Sequence, residues 1–272
     1  PGERLQCISA NEIDLKGPLK FERPVVEIWN PPKTRWSPGV VSEPRLTYLR
    51  LMPAAASVVW QTVDLMGAVG RDGVVRFDVP PGRWRLFVGV WQEGYTGVIW
   101  GAPGADGPVL DHINTAAVER YLGRMSDALN PALGGKMGNG LRAIFCDSLE
   151  LSGSNWTTDF PDEFRRRRGY DLDPYLHLVI YDANKGYQGP PPATPALADT
   201  VLRVRQDYNR TLVELFHERF LGTLNRWCHA NGVKSRYQAY GGPALMGMLG
   251  GYMLPDIPEG DTWLYHPEPT VG

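Results

Sequence analysis

Short runs in the first hundred or so residues alternate apolar with polar side chains, the pattern of strands that bury one face. The runs are residues 25–29, 46–51, 73–79 and 84–91. Pro80, Pro81 and Gly82 separate the last two runs, and proline and glycine are typical turn residues, so we predict a β-hairpin there. Residues 1–108 are therefore expected to form an antiparallel β-rich module.

The pattern changes after a stretch rich in glycine and proline at residues 101–108. Apolar residues then recur at helical spacing in long segments, which alternate with short apolar runs typical of buried parallel strands. We predict helices over residues 114–129, 158–169 and 202–231, and strands over residues 141–146 and 233–239. Helices that alternate with single strands indicate a parallel sheet or barrel.

The length of this second part limits the barrel. A complete (β/α)8 barrel takes about 250 residues, whereas only about 160 follow residue 108. We therefore predict an α/β fold, in which the antiparallel β-module of residues 1–108 is followed by part of a (β/α)8-type barrel. This partial barrel, over residues 109–272, is the expected catalytic domain.

Composition and charge narrow the possible function classes. Hydrophobic residues make up 43% of the chain and charged residues 21%, as in ordinary folded domains. The formal net charge of −2 gives no basic surface, so we expect no nucleic-acid partner. The one basic run, residues 165–168, either binds phosphate or nucleic acid or forms a solvated helix face, and the acidic residues before it favour the helix face. No apolar stretch reaches about 18 residues, so no membrane span is expected.

Metal and disulfide chemistry find little support in the spacing of cysteine and histidine. Cys7, Cys146 and Cys228 are too few and too scattered for a disulfide framework. Neither they nor the five histidines have the spacing of a zinc site. Aspartate and glutamate side chains are therefore the main candidates for catalytic groups.

Polar residues that follow predicted strands are the candidates, because functional groups of parallel α/β folds lie just past the carboxyl ends of strands. Three groups fit: Asp147 with Glu150, then Gln238 with Tyr240, then Asp256, Glu259 and Asp261. Trp156 lies near the first group in sequence, and an aromatic ring beside carboxylates suits stacking on a sugar. We predict Asp147, Trp156, Gln238 and Tyr240 as substrate-binding residues.

Each acidic group also has a plain structural interpretation. Asp147 and Glu150 are of the type that caps a helix start, although residues 152–154 indicate an open loop. The acids of the third group form either a solvated loop or a set of oxygen ligands for calcium. Glycoside hydrolysis commonly uses two carboxyl groups that flank the scissile bond, and two acidic groups at successive strand ends meet that requirement.

Several motifs together resemble the α-L-rhamnosidases of glycoside hydrolase family 106. They are residues 109–112, 144–150, 167–172, 227–229 with 232–239, and 256–260. The resemblance covers the chain from about residue 70, and residues 81–84 are its first signal. Each motif by itself is weak evidence for the family. Their residues and their order along the chain, taken together, are specific for it.

The resemblance implies inverting, calcium-dependent hydrolysis of terminal α-L-rhamnosyl residues from plant or bacterial glycans. It implies a (β/α)8 barrel with added β-domains, in a bacterial enzyme that is periplasmic or secreted. Glu150 matches the general acid, and Glu259 matches an acidic residue that supports substrate or calcium. Asp256, Glu259 and Asp261 are the expected metal ligands. The expected partner is a rhamnose-containing oligosaccharide or glycoside.

The resemblance also implies that the general base lies on a later strand, beyond residues 256–259. Members of the family are far longer than 272 residues, so we expect a fragment, a natural truncation or a shortened relative. If this chain is active by itself, Glu259 must be the base, which makes Glu150 and Glu259 the candidate catalytic pair. The alternatives are a catalytically inactive sugar-binding fragment and a β-rich structural or interaction module that binds no sugar.

Overall fold

The structure is a computed structural model that describes residues 3–29, 31, 42–98, 103–104, 106–149, 151, 153–180, 194–239 and 248–260. The chain divides into two compact units. The β-rich unit comprises Pro1–Asn114 and Ser152–Leu212, and the parallel-sheet unit comprises Thr115–Leu151 and Val213–Gly272. The first division lies a few residues after the predicted boundary at 108, and the assignment of two consecutive domains stays a prediction.

An antiparallel sheet forms the centre of the β-rich unit. Its strands are β1 (Gln6–Pro24), β2 (Arg45–Pro53), β3 (Val63–Asp64) and β4 (Val74–Glu93), in the spatial order β1-β4-β2-β3. β1 and β4 pair over nearly their whole length, from Gln6 opposite Glu93 to Pro24 opposite Val74. The predicted antiparallel module is thus present, and its strand at residues 46–51 is confirmed as β2.

The predicted hairpin at Pro80, Pro81 and Gly82 is wrong, because β4 runs straight through these residues. Gly17 pairs with Gly82 and Leu19 pairs with Val79, so two prolines of β4 lie opposite Pro18 of β1. One extra residue on one strand is a β-bulge. Proline has no N–H for the ladder, so the same residues that suit a turn also suit a bulge between paired strands.

The predicted strand at residues 25–29 is also wrong. Val25–Ile28 forms a short helix, α1, directly after β1. Ile28 is buried, Trp29 packs against the sheet core, and the amide of Asn11 donates to the carbonyl oxygen of Ile28 at 2.8 Å. A short apolar run has no periodicity that separates one helical turn from a strand, so packing decides between them.

One core cluster of this unit consists of aliphatic and aromatic side chains from β1, α1, β2 and β4. The buried members are Phe21, Ile28, Leu49, Leu51, Val75, Val79, Leu86, Val88 and Val90. Burial of apolar surface at about 25 cal/mol per Å² is the main favourable contribution of such a cluster.

Residues 153–180 and 194–212 add helices to the β-rich unit. They contain α3 (Phe160–Arg168), α4 (Leu176–Val179) and most of α5 (Ala198–Phe216). The Asn155 side chain acts like a strand residue, since it accepts from the N–H of Ile8 at 2.8 Å and donates to its carbonyl oxygen at 2.9 Å. Arg50 of β2 donates two hydrogen bonds of 2.9 Å to the carboxylate of Asp173.

The basic run of residues 165–168 lies on α3, which ends at Gly169 with a φ of 81° as predicted. Arg166 and Arg167 both bind the carboxylate of Glu163. Arg165 binds Asp171, and Arg168 donates to the hydroxyl of Thr211 at 2.9 Å. These arginines therefore contact side chains of the same unit, in agreement with the helix-face interpretation.

The parallel-sheet unit alternates helices with strands. Its elements are α2 (Thr115–Ala132), β5 (Ala143–Cys146), the end of α5, a π-helical segment (His217–Leu221), α6 (Gly222–Ala230), β6 (Lys234–Gln238), α7 (Met248–Tyr252) and β7 (Ile257–Glu259). β5, β6 and β7 form a parallel sheet in chain order. The predicted helices at 114–129 and 202–231 and strands at 141–146 and 233–239 are confirmed, and Gly232 ends the long helix with a φ of 74°.

The third parallel strand corrects an expectation, since residues 256–261 were predicted as a loop because of Pro258 and Gly260. Ile257–Glu259 instead pairs with β6, and Pro258 lies opposite Tyr237. Within the described residues β7 is an edge strand, where a missing N–H is tolerated. An antiparallel and a parallel sheet together confirm a mixed α/β fold. No described helix has the length and apolar character needed to cross a membrane.

Candidate active site

The carboxyl edge of the parallel sheet brings together polar residues from successive strands. Cys146 is in register with Tyr237, and Gln238 is in register with Glu259. Asp147, which follows Cys146, therefore emerges at the same edge as Gln238 and Glu259. This edge is where parallel α/β proteins place their functional groups.

Glu259 is held by two side chains of β6. The guanidinium of Arg236 binds its Oε2, and the amide of Gln238 lies 3.4 Å from its Oε1. The Arg236 guanidinium also lies over the ring of Phe145, 4.8 Å from the centroid, and Phe145 is 45% exposed. A positive charge over an aromatic face is a favourable cation–π contact. Phe145, Arg236, Gln238 and Glu259 thus form one accessible surface, which we call the edge cluster.

Asp256 makes hydrogen bonds to residues of β6 and α6, and its predicted role as a metal ligand stays a prediction. Its Oδ2 accepts the N–H of Ser235 at 2.8 Å and lies 3.2 Å from the Ser235 hydroxyl, while Nε2 of His229 lies 2.9 Å away. Partial burial opposes ionisation, but the hydrogen bonds from Ser235 and then His229 outweigh it and lower the pKa of Asp256. Asp256 therefore fastens the start of β7 to β6 and α6.

The described carboxylates do not fit a calcium ion. The oxygens of Asp256 accept hydrogen bonds from Ser235 and His229, and Glu259 is bound by a guanidinium, which competes with a metal for the same lone pairs. Among the described residues, no cluster of three or more histidine, cysteine, aspartate or glutamate side chains is arranged to hold a metal. Asp261, the third predicted ligand, lies outside the described residues, so the calcium prediction stays untested.

The remaining predicted residues divide into three cases. Asp147 is exposed, and its Oδ1 accepts the N–H of Ser148 at 2.8 Å, a local turn at the strand end. Glu150 and Tyr240 lie outside the described residues. Trp156 belongs to the β-rich unit, where its main chain pairs with Gln6 and its ring packs on Phe160 at 5.3 Å.

Sequence reasoning missed Arg236 and Phe145. The signal that could have found Arg236 is the alternation of β6, in which Ser235, Tyr237 and Ala239 are buried while Arg236 and Gln238 face the other side. Phe145 was interpreted as a residue buried by layers on both faces, because an apolar run is typical of a covered parallel strand.

An α/β fold with carboxylate and amide groups at the carboxyl edge of a parallel sheet is the arrangement of many enzymes that act on small polar substrates. The chain belongs to glycoside hydrolase family 106, alpha-L-rhamnosidase, whose family model matches residues 40–270. The resemblance inferred from the motifs is thereby confirmed.

Two known proteins are similar to this chain. A "Putative beta-glucuronidase" of Formosa agariphila is 29% identical over 199 residues, which is 71% of this chain and 16% of that protein. The solved structure of a rhamnosidase from Novosphingobium sp. PP1Y is 27% identical with a TM-score of 0.46, and the match covers 66% of this chain and 16% of that one. The chain thus spans about a sixth of the length of each.

Proposed function

We propose that this chain forms part of a glycoside hydrolase that releases terminal α-L-rhamnose from glycans or glycosides by an inverting acid/base mechanism. The observation that carries the proposal is the carboxyl edge of the parallel sheet, where Asp147, Gln238 and Glu259 follow one another at the ends of three strands. Membership of a glycoside hydrolase family supports the reaction class. The rhamnose specificity and the stereochemistry belong to the proposal.

The three parallel strands are proposed as a segment of a (β/α)8 barrel. Their spatial order equals their chain order, β5-β6-β7, as in a barrel, where each strand is added beside the one before it. In doubly wound sheets the order reverses at a switch point, and no reversal occurs among the described strands. Residues at the carboxyl ends would then face the substrate.

Glu150 is the proposed general acid. It follows the last residue of β5 by four positions in the sequence. In its protonated form it would donate to the glycosidic oxygen as the bond to the leaving group breaks. An inverting enzyme needs a second carboxylate, about 6.5–9.5 Å from the acid, to deprotonate the attacking water.

Glu259 is proposed to bind the sugar and not to act as this base. The Arg236 guanidinium binds its Oε2 and the Gln238 amide lies 3.4 Å from its Oε1, so both oxygens are already engaged by side chains of β6. Glu259 and Gln238 can instead accept and donate hydrogen bonds to sugar hydroxyls, as can Asp147 and Tyr240. The general base is then supplied by a later strand of the whole enzyme. No step is assigned to calcium.

The alternative is a catalytically inactive carbohydrate-binding fragment. The pairing of Glu259 with Arg236 favours it for this chain by itself, because it leaves the chain without an evident base among the described carboxylates of the edge cluster. In both proposals, the active hydrolase and the inactive binding fragment, the ligand contains rhamnose. Periplasmic or secreted location in a bacterium stays a prediction.

Proton NMR of a reaction with 4-nitrophenyl α-L-rhamnoside tests the proposal. Release of β-L-rhamnose as the first anomer is the expected result, and the α-anomer would contradict inversion. The same spectra, recorded with calcium and with a chelator, test the calcium prediction. Saturation-transfer signals from rhamnoside protons without turnover would support the binding fragment, and neither signal nor turnover would contradict both versions.

A further inference from the structure

A cleft of about 340 Å³ opens within the β-rich unit, and of its lining residues Trp156 alone has a predicted role, in substrate binding. Arg4, Gln6, Arg45, Trp91, Glu93 and Trp156 line it. Pockets for small molecules span about 300–1,000 Å³, so this volume at the lower limit suits one or two sugar rings and excludes a helix or a long peptide.

The indole rings of Trp91 and Trp156 are held in place by contacts with buried residues. Nε1 of Trp91 donates to Oε1 of Gln6 at 3.0 Å, and Nε2 of Gln6 lies 3.3 Å from Oδ2 of Asp111. Gln6 and Asp111 are completely buried, so this network is rigid. Trp156 is held by its main-chain pairing with Gln6 and by Phe160. Ordered, partly exposed aromatic rings lose little entropy when a ligand packs on them.

The accessible charge of the cleft is positive. The Arg45 guanidinium lies over the Trp91 ring, 5.2 Å from the centroid, and no carboxylate in the described part of the chain lies within ion-pair distance of it. Glu93, the acid of the cleft, has a side chain that is 3% exposed and is bound by Nε of Arg4 at 3.1 Å. A ligand therefore meets Arg45 and not Glu93.

Two hydroxyl groups complete the polar lining. The Ser42 hydroxyl oxygen accepts the N–H of Glu93 at 2.8 Å, and the Thr158 hydroxyl oxygen accepts the Gln6 amide at 3.2 Å. Because each oxygen already accepts, each hydroxyl hydrogen is oriented to donate elsewhere. Aromatic walls, hydroxyl donors and a guanidinium are the groups that recognise a sugar with a negative charge.

We propose that this cleft binds an anionic sugar, with its ring against the tryptophans and its carboxylate or sulfate group on Arg45. The ligand would be an acidic residue of the same glycan or of a neighbouring chain. This proposal rests on the proposed function in one respect, that the protein binds glycans. It does not require that the protein hydrolyses them.

Ligand-observed NMR titrations test this site with D-glucuronate, D-glucose 6-sulfate and D-glucose as matched probes. At least one anionic sugar is expected to bind about tenfold more tightly than glucose, a difference of about 1.4 kcal/mol. Arg45→Gln should remove this preference. Arg23→Gln is the control, since Arg23 is an exposed arginine of β1 whose partner is Glu27.

The result that would overturn the proposal is equal affinity for the three sugars, no binding, or a preference that survives in Arg45→Gln. The glucuronate and sulfate arms separate the two possible anionic groups. Turnover of the aryl rhamnoside is measured in parallel and should be unchanged in Arg45→Gln. Loss of the anionic preference with intact turnover, or binding without turnover, keeps the two proposals distinguishable.

Discussion

The guanidinium of Arg236 binds the carboxylate of Glu259 on the neighbouring parallel strand, two positions beyond its register partner Ile257. The pair joins the two strands at the edge where substrate is proposed to bind. The guanidinium occupies Oε2 of Glu259, which supports the proposed role of Glu259 in binding the sugar.

Replacement of Arg236 by glutamine tests this role. The Arg236 side chain is 45% exposed, so the free energy of unfolding should fall by about 1 kcal/mol or less. Loss of the pair frees the Glu259 carboxylate to move. In the whole enzyme, KM for an aryl rhamnoside should then rise about fivefold or more, about 1 kcal/mol, with little change in kcat. Steady-state kinetics check this, with the exposed Arg124→Gln of α2 as control. A change in kcat with constant KM would indicate that Glu259 is the base.

Asp256→Asn should destabilise the parallel-sheet unit. The one oxygen of asparagine can still accept from Ser235, but the negative charge is lost, and a hydrogen bond to a charged group is worth about 1 kcal/mol more than a neutral one. Thermal melting should therefore shift to a lower temperature both with calcium and with a chelator. Asp127→Asn, an exposed acid on α2, is the matched control. A shift that occurs only with calcium would show that Asp256 is a metal ligand after all.

His177 should make the protein sensitive to acid. It is 1% exposed, and burial, followed by the nearby charge of Arg50, lowers its pKa from 6.5 to about 3. Arg50 can only donate, so Nδ1 of His177 accepts at 3.2 Å and Nε2 carries the proton toward Thr62. Below pH 6.5 His177 is protonated in the unfolded chain, whereas it stays neutral in the folded chain until the pH approaches 3. The stabilising contribution is therefore complete above pH 6.5 and is lost as the pH falls from 6.5 toward 3.

At pH 5 this effect amounts to about 2 kcal/mol relative to pH 7. Urea unfolding at both pH values measures it, and His177→Gln should reduce the difference. His112, whose burial lowers its pKa to about 4, keeps part of the dependence in that variant. An unchanged pH dependence in His177→Gln would contradict the assignment.

The bulge between β1 and β4 leads to a prediction about Gly17. A Cβ at this position would lie 1.9 Å from the carbonyl oxygen of Pro80, so backbone must move to admit it. Gly17→Ala should lower the free energy of unfolding by about 1–3 kcal/mol or more. Gly67→Ala is the control, since its Cβ would meet no atom within 4 Å. Equal urea midpoints for the two variants would contradict the bulge as described.

The long elements could be predicted from the sequence, because eighteen residues of α2 or the helix from Ala198 to Ala230 repeat the same apolar spacing many times. The short ones could not. Val25–Ile28 has too few residues for a period, and Pro80 and Pro81 favour a turn and a bulge equally. Ile257–Glu259 is a strand because it pairs with β6, next to the contact of Ser235 with Asp256, and these residues are far apart in the chain.

The same limit applies to the candidate site. The common edge of Asp147, Gln238 and Glu259 could be predicted, because each follows or ends a predicted strand and parallel strands end at the same edge of a sheet. The partner of each acid could not be predicted, because Arg236 and His229 are ordinary polar residues until the strands pair. The attachment of residues 155–158 to β1 could not be predicted either, because it is made by the Asn155 side chain on Ile8 and by contacts of Trp156 and Thr158 with Gln6.

The central claim is that Glu150 protonates the leaving oxygen, and leaving-group dependence tests it most directly. In the whole enzyme we expect Glu150→Gln to slow hydrolysis of phenyl α-L-rhamnoside by about 10²–10⁴-fold, while a 2,4-dinitrophenyl rhamnoside, whose leaving group needs no proton, loses far less. Glu22→Gln, an exposed acid of β1, should behave like the unaltered protein. Equal slowing of both substrates, or no slowing of either, would contradict the account.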